Sequence, residues 1–315
     1  MKRYILKRPA VARLFQFVPV FFGVTALVFF LLRLAPGDAA YIILQDRGVD
    51  LSAESLTKAR SELGLDKPVL VQYGSWLKAV LKLDLGNSVM THEPVLAELS
   101  RRFRMTLMLT LSAMALVALL AFPLGVLSAV YQGKFWDTIC RIAAIAAMSV
   151  PAFCAGLLCI LLFSVHLKWL PSFGAGTPAH LVMPCFVLAI GSAAHYTRLI
   201  RSALLEELSK EYVRTARARG VGPKNLIYAH AMKNALLPVL TSLGMSLAMM
   251  LGGAAVVEKV FSWPGLGMYL IDAVARRDYP VVQGCVLLYA FLFTFVNLAV
   301  DILCIVLDPR VRRTG

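Results

Sequence analysis

Six stretches of this chain contain no Asp, Glu, Lys or Arg: Leu14–Leu32, Met105–Gly133, Ile142–Leu167, Leu170–Thr197, Ala235–Val257 and Gln283–Val300. No other feature limits the fold so tightly. At a rise of about 1.5 Å per residue, an apolar helix of roughly 20 residues crosses a hydrocarbon core about 30 Å thick. The runs must be helical, because an open sheet would leave backbone groups unpaired in lipid. The fourth run opens with the loop-like PSFGAGTPAH, so its span is expected to start near Leu181. Pro123, Pro151 and Pro184 lie inside runs, where proline is tolerated and marks kinks. A soluble domain needs neither 59% hydrophobic residues nor a mean hydropathy of +0.74. The expectation is an all-α polytopic membrane protein, with six transmembrane helices in one domain covering residues 1–315.

The formal charge of +14 invites a nucleic-acid reading, but its distribution argues against one. With the N-terminus inside, the cytoplasmic segments hold 18 Lys/Arg and the two short outer loops hold four. The long outer loop, residues 34–104, is nearly balanced in charge. This is the positive-inside bias, and it predicts that both termini are cytoplasmic. The leading Lys2, Arg3, Lys7, Arg8 and Arg13 resemble a signal-peptide start. The apolar run behind them is too long and lacks a good cleavage site, so a retained first helix is expected.

The six cysteines lie in or at the ends of the runs and none is in the large outer loop, which implies no disulfide scaffold. Cys154 and Cys159 lack a paired CxxC or nearby histidines and read as packing residues. Catalytic patterns also fail. Gly133-Lys134 has no glycine five positions earlier and is followed by Phe135, so there is no P-loop. His92-Glu93 begins a zinc-protease pattern without the second histidine, and Gly244-Met-Ser246-Leu-Ala248 lacks a nucleophile elbow's second glycine. No carboxylate sits near a run's midpoint, where an ion relay would need one. Asn297 and Asp301, four apart on one face of the last run, are the in-membrane polar candidates, and hydrogen bonding to a basic neighbour is the simpler role for Asp301. His195 reads as structural.

Outside the runs, LSAESLTKARSELGLDKP reads as a short helix with Leu56, Ala59 and Leu63 on one face and Gly64 at its stop. After Pro68, helically spaced apolar residues predict a second helix lying at the interface, with Tyr73 and Trp76 as anchors. A second outer segment, residues 258–280, carries the turn sequence Trp263-Pro-Gly-Leu-Gly and room for about two helical turns from Met268 to Val274.

The cytoplasmic segment 198–234 is the unusual one. A helix is expected to run out of the fourth span through Tyr212 and continue to Arg219. Gly220-Val-Gly222-Pro223 then stops it, and Lys224–Lys233 leads back into the fifth span. Between Glu211 and Lys233 the chain has five Lys/Arg against one acid. A basic, turn-divided elbow suits a soluble partner better than lipid alone.

These residues carry a resemblance. RTARARG, followed thirteen residues later by KNALLP, resembles the cytoplasmic EAA-type loop of ABC importer permeases, in the variant of the peptide/opine/nickel family. The KRYILKR, LRLAPGD, ELGLDKPVLVQYGSWL, LDLGNS, VFSWPGLG, RDYPVVQG and LDPRVRR segments resemble that family in the same order. The general pattern's glutamate is replaced by Arg214, as in the peptide/nickel branch. The resemblance implies a type I importer permease fold in the inner cell membrane. It further implies a non-enzymatic subunit that forms half of a pathway for small peptides, with nickel or another chelated metal as the alternative. A self-contained carrier or channel is the alternative of a different class. Implied partners are a second homologous permease, two ABC ATPases carrying ATP and Mg, an extracytoplasmic substrate-binding protein and the bilayer. The chain itself is expected to bind no cofactor, no metal and no nucleic acid. Coupling to the ATPases would fall to Arg214, Thr215, Ala216, Arg217, Arg219, Gly220, Val221, Gly222, Pro223 and Lys224. Outer gating and binding-protein docking would fall to Trp76, Phe261, Trp263, Pro264, Gly265, Gly267, Asp278 and Tyr279.

Overall fold

Helices make up nearly all of the computed structural model, which describes residues 7–34, 41, 44, 52–62 and 66–307. In chain order they are α1 (Lys7–Leu34), α2 (Ala53–Glu62), α3 (Val69–Leu81), α4 (Val95–Val130), α5 (Phe135–Ser149) and α6 (Ala152–Cys159). A π-helical turn, Ile160–His166, extends α6. Then follow α7 (Pro178–Ser209), α8 (Glu211–Ala218), α9 (Met232–Val260), α10 (Leu266–Arg276) and α11 (Tyr279–Leu307). Among the described residues, α4, α7, most of α9 and most of α11 are each long and apolar enough to cross a membrane. The bent pair α5–α6 gives a fifth crossing if taken as one span, and α1 contributes the shorter apolar stretch Val18–Leu34. Only 28–39% of the most apolar stretch of each of the four is buried, which leaves broad faces such as Leu119 and Met249 for lipid or another chain.

The most extensive helix pair is α4 with α7. Small residues on α4 (Ala113, Ala121, Gly125, Ser128 and Ala129) let the two backbones approach, as membrane helices require when apolar burial gives no drive to associate. A Cβ on Gly125 would stand 2.7 Å from Ile200 Cβ, so nothing larger than glycine fits. Gly244 on α9 serves α11 similarly, its would-be Cβ lying 2.3 Å from Val300 Cγ2. A large core formed by α4, α7 and α9 runs from Leu109 to Trp263, and a second around α10 joins Val95 and Leu99 to Leu266, Tyr269 and Val281.

Several sequence expectations are modified by tertiary structure. The span expected to begin at Met105 belongs to a helix that starts ten residues earlier, at Val95, because Arg101, Arg102 and Arg104 end the charge-free run without ending the helix. The span expected over Ile142–Leu167 is broken by a bend of 100° at Val150-Pro151. Val150 is extended (φ −90°, ψ 120°), as the residue before proline prefers. Pro123 and Pro184, by contrast, sit within continuous helices. The helix leaving the fourth span does not run on into α8, because Lys210 is extended at ψ 153° and separates α7 from α8. Tyr73 packs edge-on and Trp76 at a tilt against Phe29 of α1, at 5.5 and 5.7 Å between ring centres, and the Tyr73 hydroxyl lies 3.0 Å from Thr25 Oγ1. They fasten α3 to α1. The expected stop at Gly64 lies outside the described residues, as do the LRLAPGD turn and most of LDPRVRR.

Candidate functional site: an elbow and a clamp at opposite ends of one helix

The elbow is a short helix locked at both ends. Gly220 N–H donates to Arg217 O (3.0 Å) and Val221 N–H to Ala216 O (3.2 Å), the paired bonds of a Schellman stop. Gly220 sits at φ +82°, where a side chain is strained. Gly222 then caps a new turn beginning at Pro223, and Leu226 N–H reaches back to Gly222 O at 3.0 Å. A π-helical stretch, Leu226–Ala231, passes the chain into α9.

Two apolar pegs, Val213 and Leu226, hold the elbow on the body at 0% and 3% exposure. A polar cluster fixes its start: Lys210 pairs with Glu207, the Tyr212 hydroxyl donates to Glu207 Oε2 (2.7 Å), and Asn234 Nδ2 donates to the Tyr212 oxygen (3.3 Å). Burial and the bond to Glu207 push the Tyr212 phenol above its ordinary value, so it remains a donor at neutral pH. Arg214, Thr215, Arg217, Arg219, Gly220, Gly222, Pro223 and Lys224 are exposed, while Ala216 and Val221 are half-buried. The structure therefore places all ten sequence-named elbow residues in one turn-divided, largely exposed and basic segment.

Next to the elbow's supporting helix lies a residue that the sequence reading missed. Asp137, 1% exposed near the start of α5, accepts from Arg201 Nε (2.7 Å) and a second guanidinium nitrogen (2.8 Å), from Ser128 Oγ (2.5 Å) and from Gly133 N–H (2.9 Å). One carboxylate ties α4, the turn after it, α5 and α7 together. Such a bidentate, charge-assisted pair is both strong and directional. Only a buried acid at the edge of a span, close to basic residues, would have hinted at it.

At the opposite end of α9 stands Glu258, 0% exposed. Its Oε1 accepts from Thr106 Oγ1 (2.6 Å) and its Oε2 from Met268 N–H (3.0 Å). Thr106 Oγ1 in turn accepts Leu266 N–H at 2.8 Å. The glycines of SWPGLG follow from this packing. A Cβ on Gly265 would lie 2.2 Å from Glu258 Oε1, and one on Gly267 would lie 2.4 Å from Ala255 Cα. Trp263 Nε1 donates to Met105 O at 3.0 Å.

The LDLGNS and RDYPVVQG segments meet alongside. Ser88 Oγ donates to Asp278 Oδ2 at 2.6 Å, and Asp278 Oδ1 accepts Val281 N–H at 3.4 Å in the first turn of α11. Of the outer candidates, Phe261, Trp263, Gly265, Gly267 and Asp278 are buried, and Trp76, Pro264 and Tyr279 are half-buried. They are packed inward, whereas Val274, Arg276 and Arg277 at the end of α10 are exposed. Asn297 is half-buried on α11, while the side chain of Asp301 lies outside the described set. His195 is exposed and stands edge-on to the Tyr196 ring at 5.2 Å.

Comparisons with known proteins identify the family. Residues 121–313 match the family described as binding-protein-dependent transport system inner membrane component, and residues 1–110 match the N-terminal part of such membrane components. The glutathione transport system permease protein GsiC of Salmonella choleraesuis (strain SC-B67) is 39% identical over 312 residues, covering 99% of each chain. GsiC of Escherichia coli (strain K12) is 37% identical over the same length and coverage. Among solved structures, inward-facing MetNI methionine ABC transporter superposes with a TM-score of 0.59 at 21% identity, covering 69% of this chain and 99% of that one. An amino acid ABC transporter with histidines gives 0.52 at 18% identity, covering 68% and 94%. These two share the fold, and the full-length relatives favour the permease reading over a self-contained carrier or channel. The chain belongs to the inner membrane components of binding-protein-dependent transport systems, as a multi-pass permease subunit of an ABC importer.

Proposed function

We propose that this chain forms half of the translocation pathway of an importer for small peptides, glutathione being the first to test. The observation that carries this is the end-to-end likeness, 39% over 312 residues, to permeases named for glutathione transport. Nickel or another chelated metal is the weaker reading, since those relatives are named for a peptide. The other half is a second homologous permease, and two ABC ATPases supply the energy by hydrolysing ATP. An extracytoplasmic binding protein delivers the cargo to the segments at 51–81 and 260–279.

The elbow, roughly Arg214–Asn225, seats in a groove of one ATPase. Its exposed cations suit an acidic recess, and the Schellman stop presents them on a preformed rather than a floppy loop. Closure of the ATPases on ATP then biases the helices between inward- and outward-open arrangements. The test is uptake of labelled glutathione by membranes carrying the whole transporter, competed by dipeptides and by nickel chelates. Gly220→Pro and Ala216→Glu are expected to abolish uptake while the chain still inserts. Normal uptake by both variants would remove the elbow from the mechanism, and competition by nickel chelates alone would overturn the peptide assignment.

A further inference from the structure

The clamp and the elbow occupy opposite ends of one helix. α9 runs unbroken from Met232, which follows the elbow's last turn, to Val260, two residues past Glu258. At its outer end the Glu258 carboxylate accepts from Thr106 on α4 and from the backbone of Met268 on α10, and Thr106 closes the triangle by accepting Leu266 N–H. Both side chains are 0% exposed, and among the described residues Glu258 takes no salt bridge. An apolar residue of similar size would fill this space without the cost of burying a carboxylate, so its presence points to a need for defined register rather than for stability alone. Packing enforces the same register. Gly267 lies so close to Ala255 that no side chain fits between α10 and α9 there, and Gly265 abuts the carboxylate itself.

We propose that Glu258, held by Thr106, is a positioning residue that makes α10 and α9 move as one body. A partner bearing on the exposed end of α10 thereby shifts the elbow on the other side of the membrane. This rests on the reading above, in which a binding protein docks outside and ATPases dock on the elbow.

The test uses the assembled transporter in nanodiscs. ATP hydrolysis is measured without and with saturating binding protein, purified from the same cells and loaded with reduced glutathione. Thr106→Val removes the hydroxyl at nearly constant shape, and Thr106→Ser restores it. The basal rate is expected to stay near wild type in both. The stimulation by binding protein is expected to fall about tenfold in the valine variant, the effect of one lost hydrogen bond to a charged group, and to recover in the serine variant. Glu258→Gln, which presents an amide to two donors, is expected to fall with the valine variant. Equal stimulation of valine, serine and wild-type complexes overturns the proposal. A parallel loss of basal and stimulated rates in the valine variant reduces the contact to a structural one and overturns it too. If the wild-type complex is not stimulated at all, the reading of a binding protein delivering glutathione fails, and the proposal that rests on it fails with it.

Discussion

Removing either partner of the Asp137–Arg201 pair tests how much of the junction of α4, α5 and α7 depends on a single carboxylate. Asp137 is 1% exposed and the Arg201 side chain 22% exposed. With Arg201→Met, the carboxylate keeps only Ser128 Oγ and Gly133 N–H, and breaking a buried pair in this way costs about 3–5 kcal/mol. With Asp137→Asn, the amide oxygen still accepts one of those donors and Arg201 retains some water, so about 2 kcal/mol is expected. The double variant buries no unpaired charge and should be no worse than Arg201→Met alone, which implies a coupling of about 2 kcal/mol between the two sites. The assay is equilibrium unfolding of the purified chain in mixed micelles with a denaturing detergent, followed by helical signal, for the wild type and the three variants. Additivity within about 0.5 kcal/mol would refute the reasoning, because it would mean that neither group feels the other.

Four further outcomes follow from local geometry, all read by the same unfolding assay and the last by uptake as well. Gly267→Ala should destabilise by about 3 kcal/mol and more than Gly265→Ala, since Ala255 backbone cannot yield whereas the Glu258 carboxylate can turn. Gly74→Ala on α3, with nothing within 4 Å of the added methyl, should stabilise by about 0.5–1 kcal/mol. Asp278→Ala should cost about 2–3 kcal/mol by stripping the Ser88 contact and the first turn of α11, while Asp278→Asn, which keeps a capping oxygen, should cost less than half of that. At the elbow, Gly220→Ala meets no clash, so its cost is conformational alone at about 1–2 kcal/mol, and Gly220→Asn should retain more uptake than Gly220→Ala.

Much of this organisation was legible in the sequence, for reasons that differ from place to place. Charge-free runs report lipid, so the positions of the apolar helices could be read directly, and glycine followed by Gly222-Pro223 named the elbow's stop because few other residues tolerate φ +82°. Where helices continue past the lipid, as α4 does from Val95, hydropathy gives no signal. The break at Lys210 has neither glycine nor proline to announce it, and Glu207, Tyr212 and Asn234 meet there only after folding. Glu258 and Asp137 looked like ordinary loop charges at span edges. Their partners lie 152 and 64 residues away, a distance that no local pattern spans. The outer motifs were recognisable as a set, yet their burial beneath the surface, rather than on it, emerges only from packing.

The 100° bend at Pro151 bears on how the chain is made. Each arm, at 15 residues, covers roughly 22 Å, short of the hydrocarbon thickness of about 30 Å, so neither arm can settle as a span alone. The first arm is anchored by Asp137, whose guanidinium partner is synthesised 64 residues later. At about 5–20 residues per second the ribosome needs roughly 3–13 s to supply it. For that interval the carboxylate has only Ser128 and Gly133 to hold it, and the half-finished crossing lacks its ion pair until α7 arrives.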